Sequence, residues 1–182
     1  NAFGMGLGMG ASAVISRAIG EGDKEKVQRL TVASLFLAVI IASIFVTTGL
    51  LTIKPLFRLL GAGEEVLPLI EDYMYVWYIG VIFVIVPFVG NSAIRSNGDT
   101  RTPAIIMMSM VGLNTILDPI FIFGWGPIPA MYLKGAAIAT VIARALSLVL
   151  GLKVLFKQEM LALQVPKFGE LIESWKQILY IG

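Results

Sequence analysis

One short stretch of this sequence gathers three oxygen-bearing groups at helical spacing. Asp118 is the only charged residue between positions 102 and 133, and Asn114 precedes it by four residues, on the same face of a helix. Pro119 has no N–H to donate, so a helix here leaves the carbonyl of Thr115 free. Carboxylate, amide and carbonyl oxygens suit a hard cation such as Na⁺, and a desolvated carboxyl suits a proton. The alternative is an Asp118 that holds helices together through hydrogen bonds.

Thr140 is the residue of the next apolar stretch that reaches the same depth. Asp118 lies about six residues from the helix end near Gly124, and Thr140 lies about five residues from Gly135, so each is ~8–9 Å from that end. We therefore expect the Thr140 hydroxyl to face the carboxylate. The alternative for a lone threonine in an apolar helix is a hydrogen bond to a carbonyl of its own helix.

Three further polar residues stand within or beside apolar stretches. Arg144 follows Thr140 by one turn, and it has three possible placements: lining a water-filled cavity, snorkelling toward the surface, or pairing with Asp118. Tyr73 and Asn91 stand at the outer and inner ends of another stretch. Their structural alternatives are an aromatic at the membrane interface and a hydrogen bonder at a helix end.

The composition excludes the water-soluble classes and much of enzyme chemistry. The chain has 182 residues, of which 57% are hydrophobic and 14% charged, whereas globular proteins have about 45–50% and about 25%. With no Cys and no His, zinc sites, disulfides, thiol nucleophiles and histidine acid–base chemistry are excluded. No second acid accompanies Asp118, so we expect no enzyme and no cofactor. No basic patch favours nucleic acid, and the lipid bilayer is the predicted partner.

Long uncharged stretches supply the elements that must position these residues. Residues 30–53 and 73–94 carry no charge and exceed the roughly 20 residues that span a membrane, and we predict two further spans in 102–133 and 135–152, which carry one charge each, Asp118 and Arg144. Residues 1–16 are uncharged but short, and we interpret them as the end of a truncated transmembrane helix. The prediction is an all-α integral membrane helix bundle, and the chain is expected to be a fragment.

The positions of the basic residues predict the orientation of the bundle. Ten of the 14 Lys and Arg residues lie in 17–29, 95–101 and 153–176, whereas the alternate connections hold only three. The positive-inside rule places those three basic segments in the cytoplasm, with the spans in the cell membrane. Trp77 falls near a predicted span end, where an aromatic belt is expected.

Two other patterns concern packing. Gly4, Gly6, Gly8 and Gly10 form small-xxx-small pairs that let helices approach closely. Near the end of the chain, apolar residues recur at helical spacing and predict an amphipathic helix at the cytoplasmic interface, which is equally interpretable as the start of a further span. These residues are Phe168, Leu171, Ile172, Trp175 and Leu179.

Four stretches together resemble the multidrug and toxic compound extrusion family, the MATE transporters. They are GASAVISRAIGEGD at 10–23, AIRSNGDTRTP at 93–103, NTILDPIFIF at 114–123 and GAAIAT at 135–140. The resemblance implies twelve helices in two six-helix bundles around a central cavity. Residues 1–157 would be a partial N-terminal bundle, from the end of helix two to helix six, and 158–182 a cytoplasmic linker with an amphipathic helix and the start of helix seven.

The resemblance also implies roles for individual residues. Family members use an acid of helix one, which lies outside this sequence, together with the residues that match Asn114, Asp118 and Thr140 as a cation or proton site. Tyr73 and Asn91 match residues of the substrate cavity, as Arg144 does by position, although the family often has Gln where Arg144 stands.

The activity implied is antiport, in which H⁺ or Na⁺ enters as drugs or other amphipathic, often cationic, organic compounds leave. A small organic substrate and the C-terminal bundle of the same protein are the expected partners. Two alternatives remain open. One is a lipid-linked oligosaccharide flippase of the same superfamily, which Arg144 favours, and the other is a membrane scaffold without transport activity.

Overall fold

The computed structural model describes residues 2–61, 63–125, 129–161 and 168–181, and every element in these ranges is an α-helix. In chain order they are α1 (Ala2–Gly20), α2 (Lys24–Leu59), α3 (Leu67–Gly80), α4 (Ile82–Ser96), α5 (Arg101–Phe123), α6 (Tyr132–Lys157) and α7 (Phe168–Ile181).

Four helical segments are long and apolar enough to cross a membrane. They are Lys24–Leu59, Leu67–Ser96, Arg101–Phe123 and Lys134–Lys157. Each contains or largely overlaps one of the predicted spans, so the predicted all-α membrane fold with four spans is confirmed.

The second of these spans is interrupted, which the sequence did not predict. A turn at Val81 separates α3 from α4, and Pro87 inside α4 has no N–H for the carbonyl of Phe83. Gly80 packs closely on α6, since a Cβ at this glycine would lie 2.7 Å from Val141. The interruption therefore falls where α3 presses against α6, beside the cavities described below.

Turns with built-in caps separate the helices at the predicted cytoplasmic end. Gly22 and Gly98 have φ values of 73° and 80°, a conformation that glycine adopts without strain. Asp23 accepts a hydrogen bond from the backbone N–H of Lys26 at 2.9 Å. Asp99 accepts from the hydroxyl of Thr102 at 2.5 Å and from its backbone N–H at 2.9 Å, and these bonds lower the pKa of Asp99.

The core lies between α1, α2, α4 and the inner end of α6. Its largest fully buried side chains include Ile15, Leu30, Ile94 and Leu155. Gly8 supports the predicted close packing, because a Cβ there would lie 2.8 Å from side-chain atoms of α4. Gly4, in contrast, has nothing within 4 Å of an added Cβ and lines a cavity instead, so the predicted glycine face packs only in part.

Helix α5 stands apart from this core and is held chiefly by α6. It buries only Pro103 and Ile106. At its far end the backbone approaches α6 so closely that a Cβ on Gly135 would overlap the backbone of Phe121, and Met131 donates its N–H to the Phe121 carbonyl at 3.0 Å. This contact sets the depth of α6 relative to α5.

Helix α7 packs onto α1 and α2 through a face that matches the predicted one only in part: Leu171 and Trp175 belong to both, and the side chain of Phe168 lies outside the described ones. Leu171, Ser174 and Ile178 are buried, while Ile172 and Leu179 are 38% and 59% exposed. Ser174 is tolerated inside because its hydroxyl donates to a backbone carbonyl of α7. Trp175 donates its indole N–H to the Ala33 carbonyl of α2 at 2.9 Å.

Candidate cation site and substrate cavity

Helix α5 brings Asn114 and Asp118 into direct contact. The amide Nδ2 of Asn114 donates to Oδ2 of Asp118 at 2.9 Å, as the four-residue spacing predicts. The other carboxylate oxygen, Oδ1, is shielded from solvent and has no hydrogen-bond partner among the described residues. An orphaned carboxylate oxygen at this depth is an unusual cost, which a bound cation or a proton would remove.

Thr140 lies beside this pair but does not face the carboxylate. Its hydroxyl donates to the Ala136 carbonyl of its own helix at 2.9 Å, and its Oγ1 lies 3.4 Å from Oδ1 of Asn114. The predicted shared depth is thus correct, while the hydroxyl takes the alternative orientation, because the Ala136 carbonyl one turn back in its own helix offers the shorter bond. Thr140 contacts the site through the amide.

A cavity of about 260 Å³ surrounds these groups. Its walls are Met110, Val111, Asn114, Thr115, Asp118, Thr140, Ala143 and Arg144. Within the described ranges no group of three or more Asp, Glu, His or Cys side chains could hold a metal ion. With one carboxylate and neutral oxygens, the donor set fits a monovalent cation or a proton better than a divalent metal.

Arg144 is not the ion-pair partner of Asp118. Both side chains line the small cavity, yet neither appears in an ion pair within 4.0 Å with any residue in the described part of the chain. The predicted alternative of a tight Asp118–Arg144 pair is therefore wrong. Arg144 is partly buried and also faces a larger cavity.

This larger cavity has a volume of about 770 Å³ and lies between α2, α3, α4 and α6, with α1 and α5 at its edges. Tyr73, Asn91 and Arg144 all line it, so the three residues predicted for a substrate cavity do share one space. Cavities that bind small organic molecules typically measure about 300–1,000 Å³. Met110 of α5 and Thr140 and Arg144 of α6 line both cavities.

Several other lining residues were not predicted. Trp77 and Tyr78, whose rings meet edge to face with centroids 5.8 Å apart, line the cavity, although Trp77 was expected in an interfacial belt. Ser147 also lines the cavity and is buried. It follows Thr140 by seven residues and Arg144 by three, and this helical spacing could have predicted that the three share one polar face of α6. Asn91 is only 6% exposed, and its Oδ1 has no partner in the described residues.

Comparisons with known proteins place this geometry in a family. The MatE family model matches residues 1–120. A FAD transporter of Shewanella oneidensis is 38% identical over 183 residues, which cover 100% of this chain and 40% of that protein. The probable multidrug resistance protein NorM of Thermotoga maritima is 32% identical over 179 residues, covering 96% of this chain and 38% of that protein.

Solved structures agree with these relatives. The inward-facing conformation of a multidrug resistance MATE family transporter of the MOP superfamily matches 100% of this chain and 41% of its own with a TM-score of 0.85, at 33% identity. The chain spans about 40% of the length of the curated relatives it matches. The Shewanella relative and the solved structure are both named as transporters, which supports the prediction that the chain is not an enzyme. The chain therefore belongs to the MatE family, as its four sequence motifs predicted.

Proposed function

We propose that this chain is part of the N-terminal bundle of a cation-coupled exporter of small organic compounds, driven by H⁺ or Na⁺. The observation that carries the proposal is the orphaned Oδ1 of Asp118, held beside Asn114 in a small cavity that shares a wall with a much larger one. In this assignment the small cavity takes the coupling ion and the large cavity takes the substrate.

Coupling in this arrangement passes through the residues that the two cavities share. Met110 of α5 and Thr140 and Arg144 of α6 border both spaces, so an ion that draws in the oxygens of α5 changes the position or field of residues that the substrate contacts. Neutralising a carboxylate in a low-dielectric site changes the free energy by several kcal/mol, which is enough to shift a two-state helix bundle. The interruption at Val81, between α3 and α4, gives the cavity wall a place to bend.

The remainder of such a transporter would supply the second bundle and, by family resemblance, an acid from the helix that precedes α1. The names of the relatives include multidrug resistance proteins and an FAD transporter, so the proposed substrates are organic molecules of drug size. The proposed location is the cell membrane, with 17–29, 95–101 and 153–176 on the cytoplasmic side.

The test is transport by the complete protein in liposomes. Vesicles loaded with a fluorescent substrate are given an inward Na⁺ gradient, an inward H⁺ gradient, or neither, at matched membrane potential. We expect one of the two gradients to accelerate export and the same ion to move inward with a fixed stoichiometry. An export rate that neither gradient changes would refute cation coupling. Absence of export with intact substrate binding would favour the membrane scaffold.

A further inference from the structure

We infer that the transported compound is an aromatic anion, and that Arg144 binds its negative charge. This inference rests on the proposed function, because it names the substrate class of the same large cavity. It differs from the cationic substrates that the family resemblance implies. Two features of the cavity favour such a compound: an unpaired guanidinium and an aromatic lining.

Arg144 is exceptional among the cations of the described residues. Seven Lys and Arg side chains form ion pairs, and Arg95 bonds to Ser92 and lies over the ring of Phe88. Those with neither kind of partner lie exposed at helix ends or connections, namely Arg101, Lys153, Lys157 and Lys176. Arg144 combines partial burial in a membrane span with no ion pair or hydrogen bond to any described residue.

A guanidinium in this setting favours an anionic ligand. An unpaired charge in an apolar environment is costly, and a carboxylate, phosphate or sulfonate offsets that cost through two parallel N–H···O bonds. The planar guanidinium of Arg presents paired N–H donors whose geometry matches these anionic groups, whereas a Gln at the same position carries neither the charge nor the paired donors. A cationic substrate beside Arg144 would instead experience repulsion, since this guanidinium forms no ion pair with any carboxylate of the described residues.

The rest of the lining indicates a planar, ring-containing molecule. Five aromatic side chains of α3 and α4 line the cavity, and aromatic rings favour contact with other rings; they are Tyr73, Trp77, Tyr78, Phe83 and Phe88. Together with the guanidinium of Arg144, they fit an aromatic or heteroaromatic anion.

The experiment compares two dyes that share a three-ring xanthene scaffold but differ in charge, fluorescein (anionic) and rhodamine 123 (cationic). Binding to the complete transporter is measured by fluorescence anisotropy in detergent, so it does not depend on transport or coupling. We expect the wild type to bind fluorescein more tightly. Because a hydrogen bond to a charged group is worth about 1.5–3 kcal/mol, Arg144→Gln should weaken fluorescein binding by about tenfold or more, with rhodamine 123 binding unchanged or stronger.

Two further variants separate the possible explanations. Arg144→Lys keeps the positive charge but lacks the paired N–H donors of the guanidinium, so it should retain part of the preference for fluorescein. That retained preference would show that a loss of binding in Arg144→Gln is not caused by a general loss of folding. Asp118→Asn removes the carboxylate that opposes the field of Arg144, so it should strengthen the preference for fluorescein even where cation coupling fails, and the substrate class and the proposed coupling are tested separately. The inference is overturned if the wild type prefers rhodamine 123 or binds neither dye. Equal weakening of both dyes by Arg144→Gln also overturns it, since this would indicate a structural partner elsewhere in the protein.

Discussion

Replacing Asp118 by asparagine is the most direct perturbation of the proposed ion site. The substitution keeps the size and planarity of the side chain and lets its amide oxygen still accept the 2.9 Å hydrogen bond from Asn114. It removes the negative charge and converts one oxygen into a donor. Asp118→Asn therefore changes the electrostatics of the small cavity while leaving its packing in place.

The size of the effect follows from the geometry. A unit charge about 4 Å from a cation in a protein site with an effective dielectric near 20 contributes about 4 kcal/mol. Desolvation of the ion cancels part of this, and hydrogen bonds to charged groups retain about 1.5–3 kcal/mol. Because Oδ1 of Asp118 is orphaned in the ion-free site, little competing interaction is lost when an ion enters. We expect cation affinity to fall roughly 10- to 100-fold.

The assay is calorimetric titration of the complete transporter with NaCl, with choline chloride keeping the ionic strength constant. Proton uptake in weakly buffered solution tests the H⁺ alternative. Asp72→Asn is the matched control, because Asp72 is an exposed acid paired with Lys134 at 3.4 Å, and surface pairs contribute little, so binding should change by less than about twofold. If Asp118→Asn behaves like this control in both measurements, the ion site is not at Asp118.

Three other predictions follow from contacts of the same helices. Asn114→Leu should weaken Na⁺ binding by about tenfold or more, because it removes an amide oxygen from the donor set and the N–H that positions the carboxylate. Thr140→Val should cost less than about threefold, since that hydroxyl donates within its own helix; the reverse order in the same NaCl titration would contradict the geometry. Gly135→Ala should lower the midpoint of thermal unfolding through ~1–3 kcal/mol of overpacking, while Gly112→Ala, with nothing within 4 Å, should not. Hydrogen bonds from the first turn of α5 hold the pKa of Asp99 below its ordinary value of 3.8. The contribution of ionised Asp99 to the stability of the fold is therefore complete above pH 3.8 and is lost as the pH falls through the lower pKa of the folded protein. The melting temperature of Asp99→Asn should accordingly decline less in acid than that of the wild type.

The spans were predictable because hydropathy is a local property of the chain. Long uncharged stretches identify helices that cross a membrane whatever their neighbours are. The interruption at Val81 was not predictable in this way. Pro55 and Pro119 lie inside uninterrupted helices, as Pro87 does within α4, so proline alone does not mark a break in this protein. The close approach of Gly80 to α6 depends on tertiary packing, which the local pattern does not contain.

The candidate site shows the same division between local and tertiary information. The bond between Asn114 and Asp118 follows from a four-residue spacing on one helix, and it was predicted. The orientation of Thr140 depends on competition between a carbonyl of its own helix and a group on another, and the nearer carbonyl prevails. The face of α7 likewise depends on which neighbour covers it, so Ser174 is buried and Leu179 is exposed.

The charges of Asp118 and Arg144 give the two cavities opposite requirements. Both groups line the small cavity, so the carboxylate partly cancels the field of the guanidinium until a cation occupies the site. On the proposed assignment, a cation bound at Asp118 strengthens the attraction of Arg144 for an anionic substrate, whereas it would repel a cationic one. A cation that binds at Asp118 therefore cannot expel an anionic substrate by electrostatic repulsion. Exchange requires that ion binding reshape the large cavity, and the interrupted α3–α4 wall and the shared α6 face are the elements placed to do so.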